Sequence, residues 1–185
     1  MGLFGLFGGN KSNPEDSIPQ NDAERWTVGV YALWSEYCGG SYKYFGGYEK
    51  NRSNASMVRG VLNRDWVVSS KESLLDMVDY ILKEENREAG EEEKRAFDYG
   101  CAGNMLARGY IGGYLTKEEL MAESAKVAKV IRAHYNSWQE YAQQYITGVG
   151  MESGVADKQE KFREIYERLV AIPNGPYTVK WDTPL

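Results

Sequence analysis

The chain has 185 residues, enough for one domain with a substantial core, and its 42% hydrophobic and 26% charged residues are proportions of a soluble globular protein. A net charge of -5 and a pI near 5.1 argue against general nucleic-acid binding, because phosphate contact needs a basic surface and no Lys/Arg run supplies one. No stretch reaches the ~20 apolar residues a membrane-spanning helix requires, and no basic n-region with a long apolar run marks a secretory signal, so a cytoplasmic location is expected.

The two cysteines, Cys38 and Cys101, are far apart, lack C-x-x-C spacing, and read as reduced, partly buried thiols. Residues 1–21 read as a mobile tail and linker: MGLFGLFGG is glycine-spaced, and NKSNPEDSIPQ is polar with two prolines. Leu3, Phe4, Leu6 and Phe7 offer at most weak membrane-surface contact, having no basic flank. Gly2 is a poor myristoylation acceptor, because Leu6 stands where Ser or Thr is wanted.

Residues 22–185 read as one helical domain. Trp26, Val30, Leu33, Trp34 and Tyr37 form the stripe of an amphipathic helix, capped by Asn21 or Asp22 and ended by Gly39-Gly40. YCGGSYKYFGGYEKN then reads as a packed surface loop that buries tyrosine rings and exposes hydroxyls, with an aromatic ligand loop as the alternative. A short helix is expected over 55–63, burying Met57, Val61 and Leu62. Ser69 and Glu72 are spaced as a capping box for the next helix, whose stripe is Leu74, Leu75, Val78, Ile81 and Leu82; Trp66 is expected to plug its entrance. The acidic run 84–93 reads as a solvated helix end; a metal-binding carboxylate cluster is the alternative, with no imidazole or thiolate beside it.

The stretch 95–145 organises the chain as three successive helices. Phe97, Cys101, Met105 and Leu106 give the first an apolar stripe ending near Arg108–Gly109, and Gly100 and Gly103 permit a neighbouring helix to approach closely. Thr116/Glu119 and Ser137/Glu140 are spaced as capping boxes for the next two, which bury Leu120, Val127, Ile131 and Tyr135, then Trp138, Tyr141, Tyr145 and Ile146. The G-x-G-x-x-x-G of Gly148, Gly150 and Gly154 follows no strand and is read as a loop, not a dinucleotide site. A last helix from about Asp157 turns Phe162, Ile165, Tyr166 and Leu169 inward, and Tyr177, Val179 and Trp181 pack an extended tail back across the bundle. The fold class is all-α, a single bundle of six or seven helices.

Catalytic chemistry is sparse. One histidine, His134, and two distant cysteines cannot supply a zinc set or a di-iron bundle's paired Glu-x-x-His motifs, so no metal or cofactor is expected. His134 ends a helix, where a partly exposed imidazolium meets the dipole; no G-x-S-x-G elbow offers it a nucleophile. Asp98, Asn104 and Arg108 share the central helix with small residues. Asp98 and Arg108 lie ten residues apart, ~80° around and ~15 Å along an ideal helix, so each needs a partner from elsewhere. They read either as ties between helices or as part of a cleft with Tyr110 and Tyr114.

The blocks WTVGVYALWSEYCGG, VLNRDWVVSSKESLLDMVDYI, FDYGCAGNMLARGYIGGYLTKEEL, YNSWQEYAQQYITGVG and PYTVKWDTPL, in this order and spacing, resemble the bacterial YbeU/YbeR-like domains of unknown function, DUF1266, from Asp22 to Leu185. The resemblance rests on Trp26, on Asp65-Trp66 with Glu72, and on Asp98, Arg108, Gly109, Tyr110, Gly113 and Tyr114. Trp138, Glu140 and Tyr145 continue it, and Trp181 and Leu185 close it; Trp26, Trp66, Glu72, Trp138 and Trp181 are its structural positions. The chain departs in carrying Cys101 where members often have arginine, and in lacking a tryptophan before Gly109. The resemblance implies a soluble helical bacterial domain and no settled activity. With the acidic charge and Tyr/Gly loops, it favours a non-enzymatic protein-interaction domain, immunity-like or regulatory, whose partner is another protein. The alternative is an enzyme or small-ligand binder using the cleft around Asp98, Asn104, Arg108, Tyr110 and Tyr114.

Overall fold

The computed structural model describes residues 14–152 and 154–185, with the side chains of 14 and 15 also left aside; the Leu3–Phe7 contact expected above lies outside them. Among the described residues the chain is all-α: α1 (Asp22–Tyr37), α2 (Arg52–Trp66), α3 (Lys71–Leu82), α4 (Arg95–Gly112), α5 (Lys117–His134), α6 (Trp138–Val149) and α7 (Gln159–Val170). Short 3-10 turns punctuate the connections, and among the described residues no helix is long and apolar enough to cross a membrane.

Local chemistry sets most helix starts. Asn21, Asn51, Thr116 and Ser137 each accept a hydrogen bond from the backbone N–H three residues on. Thr116 and Glu119 form the full reciprocal box. Ser137 caps α6 from one side only, since the Glu140 carboxylate accepts from Asn136 N–H at 2.8 Å instead. The box at α3 is displaced by one residue: Ser70 is the cap and Ser73 its partner, while Glu72 stands exposed in the first turn, where its charge suits the helix dipole. Trp66, just before that entrance, is partly buried against the core. Helix α2 runs on to Trp66, Val67 adopts a left-handed C-cap (φ 58°), and Val68 is the buried residue. Met57 is exposed, because the longer α2 turns Val58 and Leu62 inward.

Helix α4 is the hub, packed against α1, α2, α3, α5 and α6. Its glycines explain how five helices reach it. A Cβ on Gly100 would sit 2.2 Å from the Tyr145 ring, one on Gly103 2.9 Å from Val30, and one on Gly109 2.3 Å from Leu74. Gly109 therefore does not end the helix, as its position suggested. The helix continues to Gly112, and Gly113 (φ 83°) makes the left-handed cap, with Tyr114 N–H donating to Gly109 O at 2.8 Å.

The tail packs back as expected. Tyr177 and Val179 are buried, and Trp26, Trp138 and Trp181 form a cluster with ring centroids 4.9–5.6 Å apart. Their polar edges are satisfied by tail backbone: Trp26 Nε1 donates to Trp181 O and Trp138 Nε1 to Val179 O, each at 2.9 Å. Residues 14–17 form a 3-10 turn; Asp16 O accepts from the Tyr110 hydroxyl at 2.8 Å. In the Tyr/Gly loop Phe45 is fully buried, and Gly46 (φ 60°) lies so close to α4 that a Cβ would meet the Ala107 backbone at 3.1 Å.

Candidate functional site

Three of the five residues singled out from the sequence share one cavity. Asp98, Asn104 and Arg108 line a space of about 810 Å³ together with Phe97, Cys101 and Met105, all on one face of α4. Their spacing is that of a helix stripe, which in a fully packed bundle would meet a neighbouring helix. Here the facing wall is built from the ends of other elements: Trp34 of α1 with Cys38 just beyond it, Tyr48, Val61, Leu62 and Arg64 to Trp66 of α2, and Glu152 and Val155 after α6. Tyr110 and Tyr114 are not part of it. Tyr110 is buried against Phe45 (5.7 Å, edge-on) with Lys50 Nζ 3.6 Å over its ring, and Tyr114 is half-buried at the α4 cap.

The charges of the cavity are paired with one exception. Arg64 grips Asp65 through both carboxylate oxygens (2.5 and 2.8 Å), and Lys94 Nζ lies 2.9 Å from Glu152. Asp98 finds the partner its own helix could not give: Arg87 Nη1, from the segment before α4, at 2.6 Å. Burial nevertheless raises the Asp98 carboxyl above its ordinary range, with Arg87 opposing. Arg108 is only 9% exposed and makes no ion pair among the described residues; its Nε has no protein acceptor. Its guanidinium faces the Cys38 sulfur, and it contributes, after Arg64, to holding Asp65 below the usual carboxylate range. The Asn104 amide donates to Ser35 Oγ at 3.4 Å, tying α4 to α1.

Of the two cysteines expected to be partly buried, only Cys101 is so. Cys38 is exposed, just beyond the end of α1, whereas Cys101 is half-buried. Burial, reinforced by Asp98, holds the Cys101 thiol protonated. His134 lies elsewhere, beside Tyr99 (5.9 Å between rings) and 3.9 Å from Glu84. Burial and the nearby Arg95 lower its pKa, so it is not the imidazolium expected at that helix end. Glu84 is the centre of this second cluster. It accepts from Arg95 and the Tyr99 hydroxyl, and these bonds, led by Arg95, pull its carboxyl down to about 2. The acidic run thus folds back onto α4 through Glu84 and Arg87, and Lys94 ties its end to Glu152 beyond α6. No group of three or more His, Cys, Asp or Glu side chains among the described residues is placed to hold a metal ion.

Sequence reading did not reach Trp34, Tyr48, Val61 and Glu152 as cavity residues. Trp34 and Val61 sit in apolar stripes that read as core, and Glu152 is one acid among many. The only usable signal was the polar trio within the apolar stripe of α4.

The fold and this cavity define an all-α domain arranged around a buried, glycine-rich central helix. The chain belongs to the family described as a protein of unknown function (DUF1266), whose profile matches residues 86–181, over half of the sequence. The matched span holds α4 to α7 and most of the tail, whereas α1 and α2, which supply the facing wall, precede it. No curated protein and no solved structure matches the chain.

Proposed function

We propose that this domain binds a small molecule in the cavity along α4. The observation that carries the reading is the unfilled space itself. Helix interfaces are close-packed, whereas this face of α4 opens onto a cleft of about 810 Å³, within the ~300–1,000 Å³ of ligand pockets. Its walls combine the rings of Trp34, Tyr48, Trp66 and Phe97 with a few polar groups, the composition that buries a ligand's body while orienting its head.

Binding is favoured over catalysis. The cavity pairs no nucleophile with an imidazole base: burial raises both the Cys38 and the Cys101 thiols, and the single histidine is not among the lining residues. Docking of another protein has less support, because the large exposed apolar side chains, such as Met57, Val67, Tyr80 and Val170, are scattered over different elements.

Native mass spectrometry of the freshly purified full chain tests the reading. The expected result is a low-mass adduct, released on denaturation and at least tenfold less abundant in Val61→Trp, whose indole fills the cavity while circular dichroism keeps the wild-type helix signal. A bare mass, together with a melting temperature unmoved by a broad metabolite panel, would overturn it.

A further inference from the structure

We infer that the cavity selects a ligand with a single carboxylate on an aromatic or apolar body, and that Arg108 is its anchor. The inference rests on the ligand-binding reading above and assigns the chemistry of that ligand.

The charged side chains lining the cavity do not all pair off. Of the three cations lining the cavity, Arg64 is committed to Asp65 and Lys94 to Glu152. Of the three carboxylates, Asp65 and Glu152 are committed to those cations, and Asp98 to Arg87. Arg108 remains: nine-tenths buried, without an ion-pair partner among the described residues, its Nε lacking a protein acceptor, its guanidinium facing a thiol sulfur, and Asp65, already gripped by Arg64, acting on it only at longer range. A buried guanidinium without a counter-charge costs several kcal/mol and is normally compensated. An incoming anion supplies that compensation.

The same pairing sets the anion's charge. One free cation balances one negative charge, and a planar guanidinium matches a carboxylate through two parallel N–H···O bonds. A phosphate monoester would bring nearly two charges to a site with one free cation, beside the carboxylates of Asp65 and Asp98. The body follows from the remaining walls. Phe97 and Met105 come from α4, and Trp34, Tyr48 and Trp66 from the wall facing it, so the ligand's apolar part meets rings from several elements.

Three probes of matched shape test this: naphthylacetate, its uncharged amide naphthylacetamide, and naphthyl phosphate. They are titrated into the full chain by calorimetry, with tryptophan fluorescence reporting on Trp34 and Trp66. Arg108→Met keeps the apolar stem and removes the charge; Arg163→Met, at an exposed arginine of α7, is the control. The expected result is that naphthylacetate binds at least tenfold more tightly than the amide and no more weakly than the phosphate. Arg108→Met abolishes that preference without changing amide binding, and Arg163→Met leaves it intact. Equal binding of acetate and amide, indifferent to Arg108→Met, would overturn the anion assignment while leaving the ligand reading standing. Tighter phosphate binding with the same Arg108 dependence would overturn the choice of carboxylate. No binding of any probe would count against both readings.

Discussion

Outside its cavity face α4 is closely packed, and Gly100, Gly103 and Gly109, pointing in different directions, let Tyr145 of α6, Val30 of α1 and Leu74 of α3 press against its backbone; on the cavity side Asp98, Cys101, Asn104 and Arg108 face about 810 Å³ of unfilled space. Both sides belong to the same eighteen-residue helix. The close side is held by shape, since any added atom there collides with a ring or a branched side chain. The open side is held by charge: its polar groups are tied to neighbouring segments, except for Arg108. A helix can therefore be packed closely by several neighbours and still line a sizeable cavity, provided that the two demands fall on different faces.

The sharpest way to break this contrast is Gly100→Ala. Its methyl would lie 2.2 Å from Tyr145 Cε2, and that ring is confined by Phe97 and Phe162, with centroids 5.4 and 6.2 Å away. The expected loss is about 3 kcal/mol in urea denaturation, even after the ~1 kcal/mol that alanine gains in helix propensity. Gly109→Ala should cost less, because the atom it meets is the mobile end of Leu74. A neutral Gly100→Ala would mean that the close side is looser than its geometry.

Asp98→Asn comes next. It leaves the Arg87 side chain, 7% exposed, with only the longer contact to Glu84 at 3.5 Å. The expected loss is about 2 kcal/mol, accompanied by faster amide exchange in residues 84–94, which this pair fastens to α4. Unchanged exchange there would show that Glu84 and Lys94 hold the segment alone.

Arg108→Met should move stability in the other direction. Replacing a buried, uncompensated charge by an apolar chain of similar length is expected to be neutral or stabilising by about 1 kcal/mol, although the same variant loses the carboxylate preference. A loss of about 2 kcal/mol or more would instead make Arg108 a structural tie.

The smallest effect is a pH dependence. The folded-state pKa of Glu84 is depressed from 4.5 to about 2, chiefly by Arg95 and also by Tyr99 and Arg87. Its contribution to stability is therefore fully present above pH 4.5 and is lost as pH falls toward 2. Glu84→Gln should be less stable than wild type at neutral pH, with the difference shrinking across that window. A difference independent of pH would place the interaction in the Tyr99 hydrogen bond and not in the charge.

Much of this architecture is legible from spacing alone, and the places where it is not have common causes. The cap at Thr116 could be read because capping is local: a side-chain oxygen reaches a backbone N–H three residues away whatever surrounds it. The same rule misplaced the cap at α3, where Ser69 and Ser70 both qualify and only the left-handed turn at Val67 decides between them. It also shortened α4, because Gly109 reads as a stop in sequence but serves as a seat for Leu74 in the fold.

What the sequence by itself determined is the all-α class, the central position of α4, the tail packing through Tyr177, Val179 and Trp181, and the need of Asp98 and Arg108 for partners beyond their own helix. Those follow from periodicity, side-chain size and the geometry of a single helix. Only the tertiary structure decided that Asp98 would find Arg87 and Arg108 would find no counter-charge. It also decided that Tyr110 would turn to Asp16 and away from the cavity. The reason is physical: whether a charge is paired depends on which segments fold across it, and residues such as Glu152, more than forty positions from Arg108, are brought there by the packing of α6 and α4 and by nothing in the local sequence.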